Sequence, residues 1–312
     1  MNVPIVSIIV PVYNRAVLVR EAIDSALAAA VPLEVVVVDD ASTDDTWDSL
    51  RALNDPRLRI ARLERNSGQC AARNRGIEIA TGRYIKFLDS DDLLLPEHLP
   101  AEVQAMESGA DIAVSGWYDE DENGKQVVVE APRFKAIVDD VLAGHAVTTS
   151  GAMYARRAAV RWDPALRKVD DWDYFCQSAL GASRIDTVPG EAYIIRQHGG
   201  VRATDAGSLA NAREFYYILH KVERRLAAEG RLTQAHKERL AQYYYKELRV
   251  LCLQDGAAFE AEAAHIRELD PRFQPRDEER QWYVRGLACA VGFRQTIRLH
   301  SAMKRAWRRL RG

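Results

Sequence analysis

Apolar positions in the first hundred residues fall into short continuous runs separated by amphipathic segments. Ile5–Val10 is rich in β-branched residues and closed by Pro11, the signature of a buried strand. Ala16–Ala30 follows, with Val17, Ala22, Ile23, Ala26 and Leu27 at helical spacing. Leu33–Val38 holds four consecutive valines, a run without polar alternation that fits a strand covered on both faces of a parallel sheet. Thr46–Leu53 reads as a short helix behind the cap-like Ser42-Thr43-Asp44-Asp45. Leu58–Leu63 and Tyr84–Leu88 read as further strands, with a helix over Gln69–Ala80 between them. This alternation predicts an α/β domain with a mainly parallel sheet flanked by helices, whose ligands gather at the carboxyl ends of the strands.

After about Asp111 the pattern loosens. Ile112–Trp117 and Gln126–Val129 read as strands around the turn-like Asp121-Glu122-Asn123-Gly124, Trp172–Leu180 as a helix and Ala192–Arg196 as a strand. From Ser208 onward the signals are helical, over Ala210–Glu229, Thr233–Leu253, Ala257–Leu269 and Glu279–Leu310. A boundary near Val201–Gly207 divides an α/β region, residues 1–204, from a mostly helical region, residues 205–312.

The 312 residues are 47% hydrophobic and 28% charged, which excludes disordered and collagen-like chains and leaves ample material for a core. Cys70, Cys176, Cys252 and Cys289 are scattered, with no C-x-x-C pair, so a disulfide scaffold or zinc ribbon is not expected. No apolar stretch reaches the roughly 18–20 residues of a membrane span. The N-terminus lacks the basic start and cleavage site of a secretory signal, and the cytoplasm is the expected compartment. The net charge of −2 hides an asymmetry: residues 1–200 hold 21 Lys+Arg against 31 Asp+Glu, and the remainder 22 against 14.

Three acidic clusters stand at predicted element ends. Asp39-Asp40 follows the valine run, and its bland reading is a solvated loop in which Ser42 and Asp44 cap the next helix. Asp40 there can accept hydrogen bonds from a ligand's N–H or hydroxyl groups. Asp89-Ser90-Asp91-Asp92 places three carboxylates within four residues, which repel unless a cation or donor shares them. Such hard oxygen ligands suit Mg2+ or Mn2+ bridging to a diphosphate. The competing reading, an acidic helix N-terminus, fits Asp92 best. Asp170-Asp171-Trp172-Asp173 opens a helix, and a carboxylate there can serve as a general base if the fold brings it to the cleft. Between the first two clusters, Asn66 and Gly68 fit a turn opening the helix that carries Arg73, a residue type suited to anions but by itself most often a surface charge.

The ordered set PVYN, DDASTD, N-S-G-x-x-x-x-R-N-x-G and FLDSDD, all within the first 92 residues, resembles the family-two GT-A glycosyltransferases, of the inverting, non-processive type. The likeness continues more faintly through Asp170-Asp171-Trp172 and Tyr193-Ile194-Ile195-Arg196-Gln197-His198. It implies a GT-A-like fold, a nucleotide-diphosphate sugar donor (a UDP-sugar foremost), Mn2+ or Mg2+, and inversion at the anomeric carbon. On this resemblance Pro11, Tyr13 and Asn14 line the nucleotide pocket, Asp40 reads the base, and Arg73 lies near the nucleotide or diphosphate. Asp89 bonds the ribose with Ser90 beside it, Asp91 holds the metal, Asp171 is the catalytic base, and His198 is a further metal or diphosphate contact. Two departures stand out: Asp170 replaces the usual Glu of the pair, and Gln177 stands where many relatives have Arg, so the Q-x-x-R-W of processive synthases is missing.

Gly292–Arg311 interleaves Arg294, Arg298, Lys304, Arg305, Arg308, Arg309 and Arg311 with Phe293, Ile297, Leu299, Met303, Trp307 and Leu310, and holds no acid. A helix there would fit peripheral contact with an anionic membrane at the cytoplasmic face, or packing on the chain's own acidic region. No nucleic-acid module accompanies the charge. The expected partners are a sugar donor and a saccharide or lipid-linked saccharide acceptor, in cell-surface polysaccharide or glycolipid synthesis. The alternatives are a nucleotide-sugar-binding scaffold without turnover and a phosphohydrolase using Asp89 as nucleophile.

Overall fold

A computed structural model describes residues 3–145, 147–197 and 208–274. The described chain runs β1 (Val6–Val12), α1 (Ala16–Leu27), β2 (Leu33–Asp39), α2 (Thr46–Arg51), β3 (Leu58–Arg62), α3 (Gln69–Ile79) and β4 (Tyr84–Phe87). It continues through β5 (Leu93–Leu94), α4 (Leu99–Glu107), β6 (Ile112–Glu120), β7 (Gln126–Val129), α5 (Ile137–Leu142), β8 (Ala152–Ala155), α6 (Asp170–Gly181) and β9 (Ile185–Arg196). Three helices follow: α7 (Leu209–Ala228), α8 (Gln234–Gln254) and α9 (Gly256–Leu269).

All strands join one sheet in the order β3-β2-β1-β4-β8-β6-β9-β5, with β7 paired to β6. Pairing among β3, β2, β1 and β4 is parallel, and β1 and β2 are buried along their whole length, as their mostly apolar runs suggest, with the polar Ser7 and Glu34 satisfied by bonding each other at 2.6 Å. Beyond β4 the sheet turns mixed. β8 inserts antiparallel between β4 and β6, while β6 and β9 pair in parallel across a bulge near Gly116. Sequence periodicity misses β8 because Ala-Met-Tyr-Ala carries little β-branched character, yet all four residues are buried.

Several boundaries move for local reasons. The strand expected at Ala192–Arg196 is the end of a strand that starts at Ile185. Asp92 does not open a helix: β5 follows it, and α4 starts only at Leu99. α6 begins at Asp170, so Asp170, Asp171 and Asp173 all lie in its first turn, where carboxylates complement the helix dipole. Just before α2, whose N-cap position is Asp45, Asp44 accepts from the Thr46 amide at 3.0 Å, whereas Ser42 is engaged elsewhere.

The chain divides into two compact units, one formed mainly by residues 1–141 and 145–203 and the other mainly by 204–312. In the second unit the side chains of Ser208, Thr233 and Asp255 cap α7, α8 and α9 through the amides of Asn211, His236 and Ala258. Its core includes Leu219, Val222, Leu226, Leu240, Tyr244, Phe259 and Ile266. Among the described residues no helix is long and apolar enough to cross a membrane. The expected boundary at Val201–Gly207, His198, the helix over Glu279–Leu310 and the basic tail Gly292–Arg311 lie outside the described residues.

Candidate active site

The carboxyl ends of β2 and β4 flank that of β1, because both strands pair with it in parallel. The loop after β1 touches both neighbours. On one side the Asn14 amide donates to Ser42 Oγ at 2.9 Å, and Asn14 Oδ1 accepts from the Thr43 amide at 2.8 Å. On the other, Arg15 forms an ion pair with Asp91. Asn14 sits at φ 52°, in the left-handed region that asparagine tolerates better than most residues, and this turns the chain from β1 into the loop. Tyr13 beside it is 41% exposed. The first two acidic clusters therefore share one rim of the sheet, bridged by the residues after PVY.

Asp40 is buried, and its carboxylate accepts from the backbone amides of Ser67 at 2.7 Å and Gly68 at 2.8 Å. These bonds fix the turn that opens α3. Gly68 has φ 89°, which a residue with a Cβ adopts only under strain. Asp40 therefore spends one lone pair of each oxygen on its own chain and retains the second for another donor. Asp39 is wholly buried, bonds the Ser42 amide at 3.1 Å, and pairs with Arg62 at 3.0 Å.

Arg73 is the hub of the site. The helix opened by Gly68 carries it inward, where it is 2% exposed, not a surface charge. One guanidinium nitrogen donates to Asp170 at 2.7 Å and another to Asp89 at 2.7 Å, while the cation lies 4.2 Å from the centre of the Trp162 ring. Trp162 stacks in turn on Tyr174 at 4.1 Å. Despite burial, the neighbouring carboxylates of Asp89 and Asp170 keep Arg73 firmly protonated. The DSDD string and the DDWD helix, some eighty residues apart in sequence, are thus held together by a single cation.

Asp170 also accepts from Gln69 Nε2 at 2.9 Å and from Cys70 Sγ at 3.2 Å. The aspartate that stands in place of glutamate is accordingly a fully engaged structural acceptor. Asp171, half-buried, accepts from the Trp172 amide at 2.7 Å. Burial, reinforced by the adjacent Asp170 carboxylate, pushes its pKa up to about 7. A carboxylate so poised exchanges protons near neutral pH, which general-base chemistry requires. Gln177 lies 3.4 Å from Asp173, one turn below the acids on the same helix.

In the second cluster Asp89 pairs with Arg73 and Asp91 with Arg15, yet the carboxylates remain crowded. Burial raises the pKa of Asp89 even though Arg73 opposes the shift, and nearby Asp91 raises it further. Burial, with Asp89 and Asp91 adding repulsion, pushes Asp92 well above the ordinary carboxylate value. Crowded carboxyls that resist ionisation suit a divalent cation, and an all-oxygen set favours Mg2+ or Mn2+ over softer ions. The residues present fit such an ion.

Residue-by-residue reading missed Arg15, Ser150 and Arg196. Ser150, buried beside Ser90, accepts from the Asp89 amide at 3.3 Å, and Arg196 Nε donates to the Asp91 carbonyl at 2.7 Å. Arg15 directly follows PVYN and Arg196 lies in the faint YIIRQH string, so both were in view; nothing local to Ser150 signals its place.

A family model described as glycosyl transferase family 2 matches residues 7–163, half of the chain. The chain belongs to glycosyl transferase family 2. It is 35% identical over 213 residues to the succinoglycan biosynthesis protein ExoO of Rhizobium meliloti, covering 62% of this chain and 61% of that protein. It is 37% identical over 105 residues to the UDP-Glc:alpha-D-GlcNAc-diphosphoundecaprenol beta-1,3-glucosyltransferase WfaP of Escherichia coli, covering 33% of this chain and 42% of that protein. The chain therefore spans between 42% and 61% of the length of these two relatives. Among solved structures, S. aureus TarS 1-349 in complex with UDP-GlcNAc superposes with a TM-score of 0.65 at 21% identity, over 84% of this chain and 79% of that one. The mannosyltransferase PcManGT from Pyrobaculum calidifontis, in complex with GDP-Man and Mn2+, gives 0.53 at 22% identity, over 86% and 81%. These likenesses show the GT-A fold of this family-2 member.

Proposed function

We propose that this family-2 protein is an inverting glycosyltransferase that moves a sugar from a UDP-sugar to a hydroxyl of a saccharide or lipid-linked saccharide acceptor. The observation that carries the reading is the Arg73 hub. It ties Asp89, beside the crowded acids of a cation site, to Asp170, next to a carboxyl poised near pH 7. Departure and attack chemistry are thereby coupled through one buried cation. The names of relatives support the substrate class: one is a UDP-glucose-dependent enzyme acting on a diphosphoundecaprenol-linked sugar, and another serves succinoglycan biosynthesis.

In this mechanism Tyr13 and Asn14 line the nucleotide pocket with Pro11, Asp40 meets the base, and Asp89 with Ser90 meets the ribose. Asp91, with the acids beside it, would hold Mn2+ or Mg2+, which would supply positive charge to offset that on the leaving diphosphate. Asp171 takes the proton of the acceptor hydroxyl as that oxygen attacks the anomeric carbon from the face opposite the diphosphate, and this attack inverts the centre. Arg73 acts through its two carboxylates and is a positioning residue in this scheme. The positive charge that develops on the sugar is met by the surplus of acids.

The test is a thermal-shift screen of UDP, GDP and their sugars with and without Mn2+, followed by turnover on saccharide acceptors. Stabilisation by UDP-sugar that requires the cation, with transfer to acceptor, is the expected result. Binding without transfer on any acceptor would point instead to a sugar-nucleotide scaffold. Phosphate release from simple esters, abolished by Asp89→Asn, would point to a hydrolase.

A further inference from the structure

The helical unit carries a polar cluster that the transferase reading does not use. α7 presents His220 and Glu223 three residues apart, and α9 presents Glu262 and His265 at the same spacing in the reverse order. Residues three apart lie on one face of a helix. The two pairs meet: His265 Nε2 lies 2.8 Å from Glu223 Oε2, and His220 Nε2 lies 3.1 Å from Glu262 Oε1. The two imidazole rings are 4.9 Å apart. α8 contributes Tyr244, whose hydroxyl donates to Glu223 at 2.9 Å and lies 3.0 Å from His220 Nδ1.

We propose that His220, Glu223 and His265, with Glu262 beside them, form a transition-metal site of the Zn2+ type within the helical unit. One ligand atom from each of the first three lies within 4.8 Å of the others. Bonds of about 2.0–2.2 Å from a central ion require those atoms to draw together through small side-chain rotations. Two imidazole nitrogens and a carboxylate, completed by Glu262 or water, are a donor set for a first-row transition ion; the all-oxygen cluster near Asp91 suits harder ions. The surroundings also fit. Whichever ring nitrogen of His220 takes the ion, the other keeps a protein partner, Tyr244 or Glu262, the orienting contact that metal-bound imidazoles generally have.

Without an ion, the cluster shares protons in its place. The hydrogen bond to Glu223 raises the pKa of His265 against the effect of burial. Burial works against ionised Glu223, yet its bonds from His265 and Tyr244 hold its pKa below the ordinary value. An ion held by these side chains would tie α7 to α9 beside Tyr244. The site is independent of the sugar-transfer reading and stands if that reading fails.

The experiment uses the full-length protein without a histidine tag, stripped with EDTA and titrated with Zn2+ by calorimetry in excess Mg2+, which fills hard oxygen sites. The wild type is expected to bind one equivalent that His220→Ala/His265→Ala does not bind. Its Tm should rise by roughly 4 °C or more with Zn2+ while that of the variant stays level. Co2+ should give visible bands of imidazole ligation in the wild type only, and Tyr244→Phe should weaken Zn2+ binding about tenfold. Equal zinc stoichiometry in wild type and variant, or no Co2+ bands in the folded wild type, overturns the proposal. Should the double variant not fold, Glu223→Gln and Glu262→Gln, which keep side-chain volume, carry the same comparison: unchanged Zn2+ affinity in both overturns it.

Discussion

Two stretches of the same seven-residue segment solve the problem of buried charge in opposite ways. Lys86 and Glu102 are 0% and 1% exposed and pair at 2.9 Å; Lys86 also donates to Ser150 O, and Ser115 Oγ donates to the same Glu102 oxygen. Charge there is balanced one to one. Three residues on, Asp89, Asp91 and Asp92 crowd together, and the cations near them are shared or part-exposed: Arg73 also serves Asp170, Arg196 also serves Glu21, and Arg15 is 30% exposed. Burial first, and the neighbouring carboxylates second, raise the pKa of Asp89 and Asp92. A fold able to neutralise Lys86 completely could have neutralised these acids too. Charge at this strand end is spread over several partners, where Lys86 has a single counter-ion.

The contrast can be pressed by mutation, and the largest effect falls on the acid poised beside the surplus. Asp171→Asn should lower kcat by about 100- to 10,000-fold while leaving UDP-sugar affinity in place, as read by steady-state kinetics against thermal shift. The pKa of Asp171 is raised to about 7, so the base form predominates only above that pH. The kcat/KM of the wild type should therefore climb about tenfold per pH unit below 7 and level off above it, and the variant should lose that limb.

Breaking the balanced pair comes next. Glu102→Ala strands a buried ammonium and should cost roughly 3–5 kcal/mol in urea unfolding. Lys86→Met/Glu102→Leu, which removes both charges and keeps volume, should recover most of that loss. A double variant as unstable as the single one would show that packing, not charge balance, holds this region.

At the unbalanced end the same kind of change should act differently. Asp91→Asn removes a charge that raises the pKa of both neighbours, so the ligand-free protein should keep or slightly raise its Tm. Its affinity for UDP in Mn2+ should fall at least about tenfold by calorimetry. A large loss of stability with unchanged UDP affinity would mean that Asp91 is structural. The smallest effect belongs to Arg15→Ala. Its pair with Asp91 is 30% and 22% exposed, and the stability change should stay within about 1 kcal/mol.

Much of the α/β architecture was legible beforehand. Uninterrupted valines announce a strand buried on both faces, and acids placed directly after such strands fall at the ligand edge wherever the sheet is parallel. Three helices of the region after Ser208 were equally readable, since α7, α8 and α9 repeat their apolar positions with a 3.6-residue period behind the caps Ser208, Thr233 and Asp255. The antiparallel β8 was not, because Ala-Met-Tyr-Ala has no β-branched residue to mark it as a strand.

What the chain alone determined is chemistry that follows local order: which segments are strands, where acids follow them, and the family that this ordered set resembles. Only the tertiary structure decided how those acids are held. Arg73 turned out to be a buried clamp between Asp89 and Asp170, Asp40 a carboxylate that fixes the turn into α3, and His220 and His265 neighbours across two helices. The reason is physical. Hydrophobic periodicity and helix capping act over a few residues and are written in neighbouring letters. A charge pair depends on distance and burial, which exist only after segments a hundred residues apart have been brought together.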